Sequence, residues 1–120
     1  LAAGKTVVSD RYLLANVVYQ GHAGGLDPAT IRQVGAVATA GCLPDLVLVL
    51  DMPPEAASGR IHRPRDRMEQ QGAAFERAVR EGFLQEARHC PDRCVVIDAQ
   101  QPIEVVHTEI RQAVQRILAR

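Results

Sequence analysis

A chain of 120 residues makes one small domain at most. Hydrophobic residues are 47% and charged residues 23%, the composition of a folded globular chain and not of a disordered tail. Lys plus Arg and Asp plus Glu are 14 each, so no net charge draws the chain to nucleic acid or to an anionic membrane, and any anion site must come from local clustering. No apolar run is long enough to span a bilayer, and no secretory leader pattern opens the chain. Aromatics are 3% with no Trp, which removes the usual stacking platforms for single-stranded nucleic acid. Cys42, Cys90 and Cys94 are an odd number without a disulfide framework, and His89, Cys90 and Cys94 lack a fourth zinc ligand at a recognisable spacing. Reduced cysteines in a cytoplasmic protein are the expectation. The first residue is Leu1, so the chain reads as a fragment, or as a processed or mis-started chain.

In chain order, the β-branched run Thr6-Val7-Val8-Ser9 predicts a first strand ending at Asp10. Leu13 to Tyr19 is helix-compatible and closes at Gly21, and His22-Ala23-Gly24-Gly25 follows as a loop. Asp27-Pro28 sets up the next helix, with Asp27 as cap and Pro28 in the first turn, running to about Ala40 and stopping at Gly41. Leu46 to Leu50 is apolar without alternation, as in a strand buried on both faces of a parallel sheet, and it ends at Asp51. Pro53-Pro54-Glu55 opens a helix that runs into the arginine-rich stretch 60–67, broken by Pro64. From Glu69 to about Ala87 the pattern is helical, with Phe75, Val79 and Phe83 on one face. Cys94 to Ile97 predicts a third strand ending at Asp98. Ile103, Val106, Ile110, Ala113, Val114 and Ile117 predict a last amphipathic helix behind Pro102. Strands alternating with helices give an α/β class with a parallel sheet.

Each predicted strand ends in an aspartate, at the edge where such sheets gather ligands. Asp51 and Asp98 read more simply as caps or turn formers. Three groups could carry chemistry. In Asp10-Arg11-Tyr12, the carboxylate can hold a metal's water shell and the guanidinium can grip a phosphate. Arg60, Arg63, Arg65 and Arg67, with Asp66 and Glu69, make either a solvated charge run or a mobile lid that closes over phosphates. Asn16, with Tyr19-Gln20 beyond it, offers amides that suit the edge of a base, or is simply surface.

The order of these pieces resembles the thymidylate kinase family. Asp10-Arg11-Tyr12, Asn16 and Tyr19-Gln20-Gly21 resemble its Asp-Arg-Tyr/His and Tyr-Gln-Gly signature. Pro44-Asp45-Leu46 to Leu50-Asp51 is similar to its Pro-Asp-Leu strand. Pro54-Glu55, Arg60 and Asp66-Arg67-Met68-Glu69 resemble its lid and the motif after it. Phe75 and Arg80-Glu81-Gly82-Phe83-Leu84 are similar to its Phe…Arg-x-Gly-Tyr-Leu helix, with Phe83 in place of Tyr. Val96-Ile97-Asp98-Ala99, then Ile103-Glu104 and Val106, resemble its closing strand and helix.

The resemblance implies a P-loop kinase-type parallel sheet flanked by helices, with residues 1–120 as the C-terminal part of a single domain and a lid at about 60–69. It implies ATP-dependent phosphorylation of dTMP to dTDP, toward dTTP, with Mg²⁺ and ATP. Partners would be these nucleotides, with no nucleic acid and no membrane; the family is commonly dimeric, so a homodimer is the assembly to test. Asp10 would sit near the phosphates and Mg²⁺, and Arg11 would hold the dTMP phosphate. Asn16 and Gln20 would face the thymine. Arg63 or Arg65, with Arg60 behind, would contact ATP, and the backbone near Ala99 and Gln100 would border the adenine. Ala15 stands where many members have Ser or Thr, and the stretch from Arg60 to Asp66 is shorter than the usual bacterial lid.

No Gly-x-x-x-x-Gly-Lys-(Ser/Thr) occurs in the chain; Gly4-Lys5-Thr6 lacks the upstream glycine. In the family that loop follows a central strand lying between those that end here at Asp10 and Asp51. The sheet is therefore expected to be incomplete and the 120 residues inactive alone. The alternatives are a kinase for another deoxynucleotide or deoxynucleoside, or a non-catalytic remnant that binds nucleotide or a partner.

Overall fold

The structure is a computed structural model that describes residues 1–67 and 69–119, with the backbone alone at Glu69. Met68 and the Glu69 side chain, both part of the motif read after the lid, lie outside the described residues.

The elements are α1 (Leu13–Asn16), a π-helical segment (Val17–His22), α2 (Pro28–Ala38), β1 (Val47–Asp51), α3 (Pro54–Ser58), a 3₁₀ turn (Glu69–Gln71), α4 (Ala73–His89), β2 (Cys94–Asp98) and α5 (Ile103–Leu118). β1 and β2 pair in parallel, with Val49 opposite Val96 and Asp51 opposite Asp98. Side chains alternate along a strand. Asp51 reaches Arg80 of α4, whereas its neighbour Leu50 borders Ile103 and Val106 of α5. The two helices therefore flank opposite faces of the sheet, and the α5 side leaves Leu50 exposed. The class is α/β with a small parallel sheet flanked by helices, as expected.

Three expectations about elements are corrected. Thr6 to Ser9 is not a strand. A strand is held by its neighbour's backbone, and among the described residues no strand lies beside this run. Val8 is 92% exposed. The helix from Leu13 does not close at Gly21: it continues as a π segment to His22, and Ala23 N–H donates five residues back to Val18 O at 2.9 Å. Gly21 is buried there because Ile31 and Pro28 come within 3.2 Å of where a Cβ would stand. The helix expected from Glu69 is interrupted at Gly72, whose φ is 99°, before α4 begins. By contrast α2 starts as read, with the Asp27 carboxylate accepting from the N–H groups of Ala29 and Thr30, both at 3.2 Å.

The π segment packs closely against α4. Val17, Val18 and Ile97 are the largest fully buried side chains. Gly82 lets α4 press close, since a Cβ there would stand 2.8 Å from His22 Cβ and 3.0 Å from Val18 Cγ1.

Candidate functional site

Arg11 has a φ of 70°, a left-handed conformation that costs a non-glycine residue of order 1–3 kcal/mol. The Ser9 hydroxyl donates to Arg11 O at 2.7 Å and braces this turn. The guanidinium carbon lies 5.1 Å from the centroid of the Tyr19 ring, within cation–π range. Tyr19 is itself clamped, 6.2 Å centroid to centroid from both Phe75 and Phe83 of α4. The phenylalanine face read from the sequence therefore supports a tyrosine that supports an arginine. The Arg11 N–H groups bond to no other described residue, so an exposed cationic fork is oriented but uncommitted.

Asn16 and Gln20 are exposed, and neither side chain bonds to a described residue. Asp10 is likewise exposed and uncommitted. The Tyr12 hydroxyl donates to Cys42 O at 3.1 Å and ties this turn to the loop after α2.

A second cluster lies at the carboxyl end of the sheet. A groove of about 550 Å³ is lined by Leu50, Arg60, Ala99 and Gln100, and closed by α5 residues including Ile103 and Val106. Arg60 Nη1 donates to Ala99 O at 3.1 Å. Three of the predicted ATP-binding residues thus meet in one groove. Arg63 and Arg65 do not line it. Arg63 Nη1 donates to Pro64 O at 3.1 Å, while Arg65 donates to Glu76 at 3.1 Å and to the Ser58 hydroxyl at 3.0 Å. These contacts turn Arg65 onto α3 and α4.

The strand-end aspartates divide. Asp98 Oδ1 accepts from Gln100 N–H at 2.9 Å, a turn former that shapes the groove's rim. Asp51 holds Arg80 with two parallel hydrogen bonds at 2.8 and 2.9 Å, and that fork keeps its carboxyl below the ordinary value, outweighing the opposite push of burial. Sequence reasoning quoted Arg80 within a motif and gave it no partner. It also missed Glu86, which is buried at 4% exposure and accepts at Oε1 from His22 Nε2 and Arg32 Nη1, both at 2.7 Å. Nothing in the sequence signals the pairing of Arg80 with Asp51, which belong to different elements. For Glu86 the sequence carries no signal either, because His22 and Arg32 are far away along the chain.

Among the described residues, no group of three or more His, Cys, Asp or Glu could hold a metal ion, and Cys42, Cys90 and Cys94 are free thiols. Burial raises the Cys94 thiol above its ordinary value. No helix among the described residues is long and apolar enough to cross a membrane.

Comparison with known proteins gives a consistent result. A family model described as Thymidylate kinase matches residues 1–110. A thymidylate kinase from Rhodopirellula baltica is 46% identical over 106 residues, covering 88% of this chain and 43% of that protein. One from Latilactobacillus sakei is 40% identical over 118 residues, covering 95% and 55%. The crystal structure of thymidylate kinase from Ehrlichia chaffeensis superposes with a TM-score of 0.69 at 28% identity, over 95% of this chain and 51% of that one. The chain spans about half the length of the curated relatives it matches.

Proposed function

This chain belongs to the thymidylate kinase family, and on that footing we propose that the protein carrying it transfers the γ-phosphoryl group of ATP to dTMP, yielding dTDP. The observation that supports the reading best is Arg11: a strained backbone and an aromatic platform hold its fork ready, with its N–H groups uncommitted. A planar fork of this kind suits the two oxygens of a terminal phosphate. Asn16 and Gln20 would then read the thymine edge, where an amide's paired donor and acceptor are useful.

On the other side, the groove of Arg60, Ala99 and Gln100 would take the adenine. Residues 60–69 would act as the lid, and Arg63 and Arg65 would neutralise charge on the transferring group. For Arg65 this means exchanging Ser58 and Glu76 for phosphate oxygens. Mg²⁺ keeps several waters and binds through one or two carboxylates plus substrate phosphates. Asp10, exposed and uncommitted, suits that role. When bound, the ion would offset negative charge on the phosphates. We place the protein in the cytoplasm and expect a homodimer.

The test is a coupled assay of ADP release on the protein expressed with the coding sequence upstream of Leu1. Turnover of dTMP is expected, and the 120 residues alone should be slower by several orders of magnitude, because much of the positioning is absent. Turnover of another deoxynucleotide in place of dTMP would reassign the substrate. Nucleotide binding with no turnover of any monophosphate would favour a non-catalytic remnant.

A further inference from the structure

We infer that Glu86 is a positioning residue for the acceptor base, acting through the register of the π segment. This rests on the reading of Asn16 and Gln20 as thymine contacts. A π-helical turn is rare and persists where its surroundings hold it. Here α4 grips the segment at two places. Phe75 and Phe83 hold Tyr19. Farther along, Gly82 touches Val18 and His22, and Glu86, one turn beyond Gly82, captures the His22 ring. Glu86 Oε1 lies 2.7 Å from His22 Nε2. The same oxygen takes Arg32 from α2, so one buried carboxylate fixes the segment's exit against two helices.

Gln20 lies between the two grips. If the segment relaxed to an ordinary α-helix, residues past the change would rotate by roughly 100°, the angle per residue of that helix. Asn16, before the change, would stay. The pair of amides would then no longer match one base. Arg32 is 46% exposed at its side chain and can turn to water when Glu86 is removed, so substitution there need not unfold the protein.

The experiment uses the protein expressed with its upstream sequence and compares wild type with Glu86→Gln and Glu86→Leu. For folded variants, KM for dTMP should rise about tenfold, in keeping with the sensitivity of catalysis to sub-ångström placement, while kcat and KM for ATP stay within about twofold. Amide hydrogen exchange should quicken over residues 17–24 and remain unchanged in α5. Wild-type enzyme that turns over dTMP, with variants showing the same dTMP KM, overturns this inference alone. Uniform loss of kcat with both KM values unchanged would mark Glu86 as merely structural and also overturn it. Wild type that fails on dTMP breaks the substrate reading and this inference with it.

Discussion

The two halves of the molecule are built to different standards. The helical half, from Arg11 through α2 together with α4, closes on itself: Val17 and Val18 are fully buried, and a buried carboxylate joins three elements. The sheet half does not. β1 has one partner among the described residues, Leu50 is 55% exposed, and Val7 and Val8 stand in solvent beside no strand. Helices make their backbone hydrogen bonds internally, so their packing needs only side-chain faces from within the chain. Strands draw half their order from neighbours, and a two-stranded unit is marginal. The acceptor-side groups therefore stand on the firm half, and the groove assigned to ATP lies on the open one.

The largest expected effect probes the firm half. Arg11→Ala in the protein with its upstream sequence should weaken dTMP binding by roughly 1.5–3 kcal/mol, the range for a hydrogen bond to a charged group. Calorimetric titration reads this directly. Because Arg11 is exposed, the circular dichroism melt should barely move. Unchanged affinity would remove Arg11 from the acceptor site and leave its strained backbone without a role.

A pair of truncations then measures the contrast itself. Val18→Ala empties space in a fully buried position and should destabilise the 120-residue chain by about 2 kcal/mol. Leu50→Ala, on the open sheet, should cost less than about 1 kcal/mol, since the side chain is already largely in water. Urea unfolding followed by circular dichroism gives both. Equal losses would mean that Leu50 is covered in solution and that the two halves are not so different.

The same contrast governs what could be read from the sequence. The Asp27-Pro28 start and the amphipathic pattern of α5 were legible because capping and helical periodicity are local. β1 and β2 were legible because a parallel strand flanked by helices carries apolar residues without alternation. Thr6 to Ser9 was misread because its β-branched residues state a preference that only a neighbouring strand can realise. The π segment was missed because Gly21 resembles a helix stop, and its true surroundings, Pro28 and Ile31, belong to the next helix. Within the site, Arg11, Asn16 and Gln20 were visible as residue types in order. What holds them was hidden, because Tyr19, Phe75 and Phe83 meet only in three dimensions. The commitment of Arg65 to Glu76 was equally out of reach.

The smallest expected effect lies where the halves meet. Asp51 ends β1 and grips Arg80 of α4, and this keeps its folded-state pKa below the ordinary 3.8. A carboxyl with a lowered folded pKa binds its proton more readily in the unfolded chain. Its contribution to stability is therefore complete above the unfolded value and is lost as pH falls through the folded one. Asp51→Asn should accordingly flatten the stability–pH curve below about pH 4, the unfolded carboxylate range, and leave its shape at neutral pH unchanged. Urea unfolding across pH 2 to 7 would read the difference. The Asp27 cap also has a lowered pKa, owing first to the Thr30 hydroxyl, so wild type and Asp51→Asn should share a residual acid slope from α2. If the slope were identical in both proteins, the Asp51–Arg80 fork would contribute nothing in solution. α4 would then depend on its contacts with the π segment and α2, making the sheet still more dependent on what lies beside it.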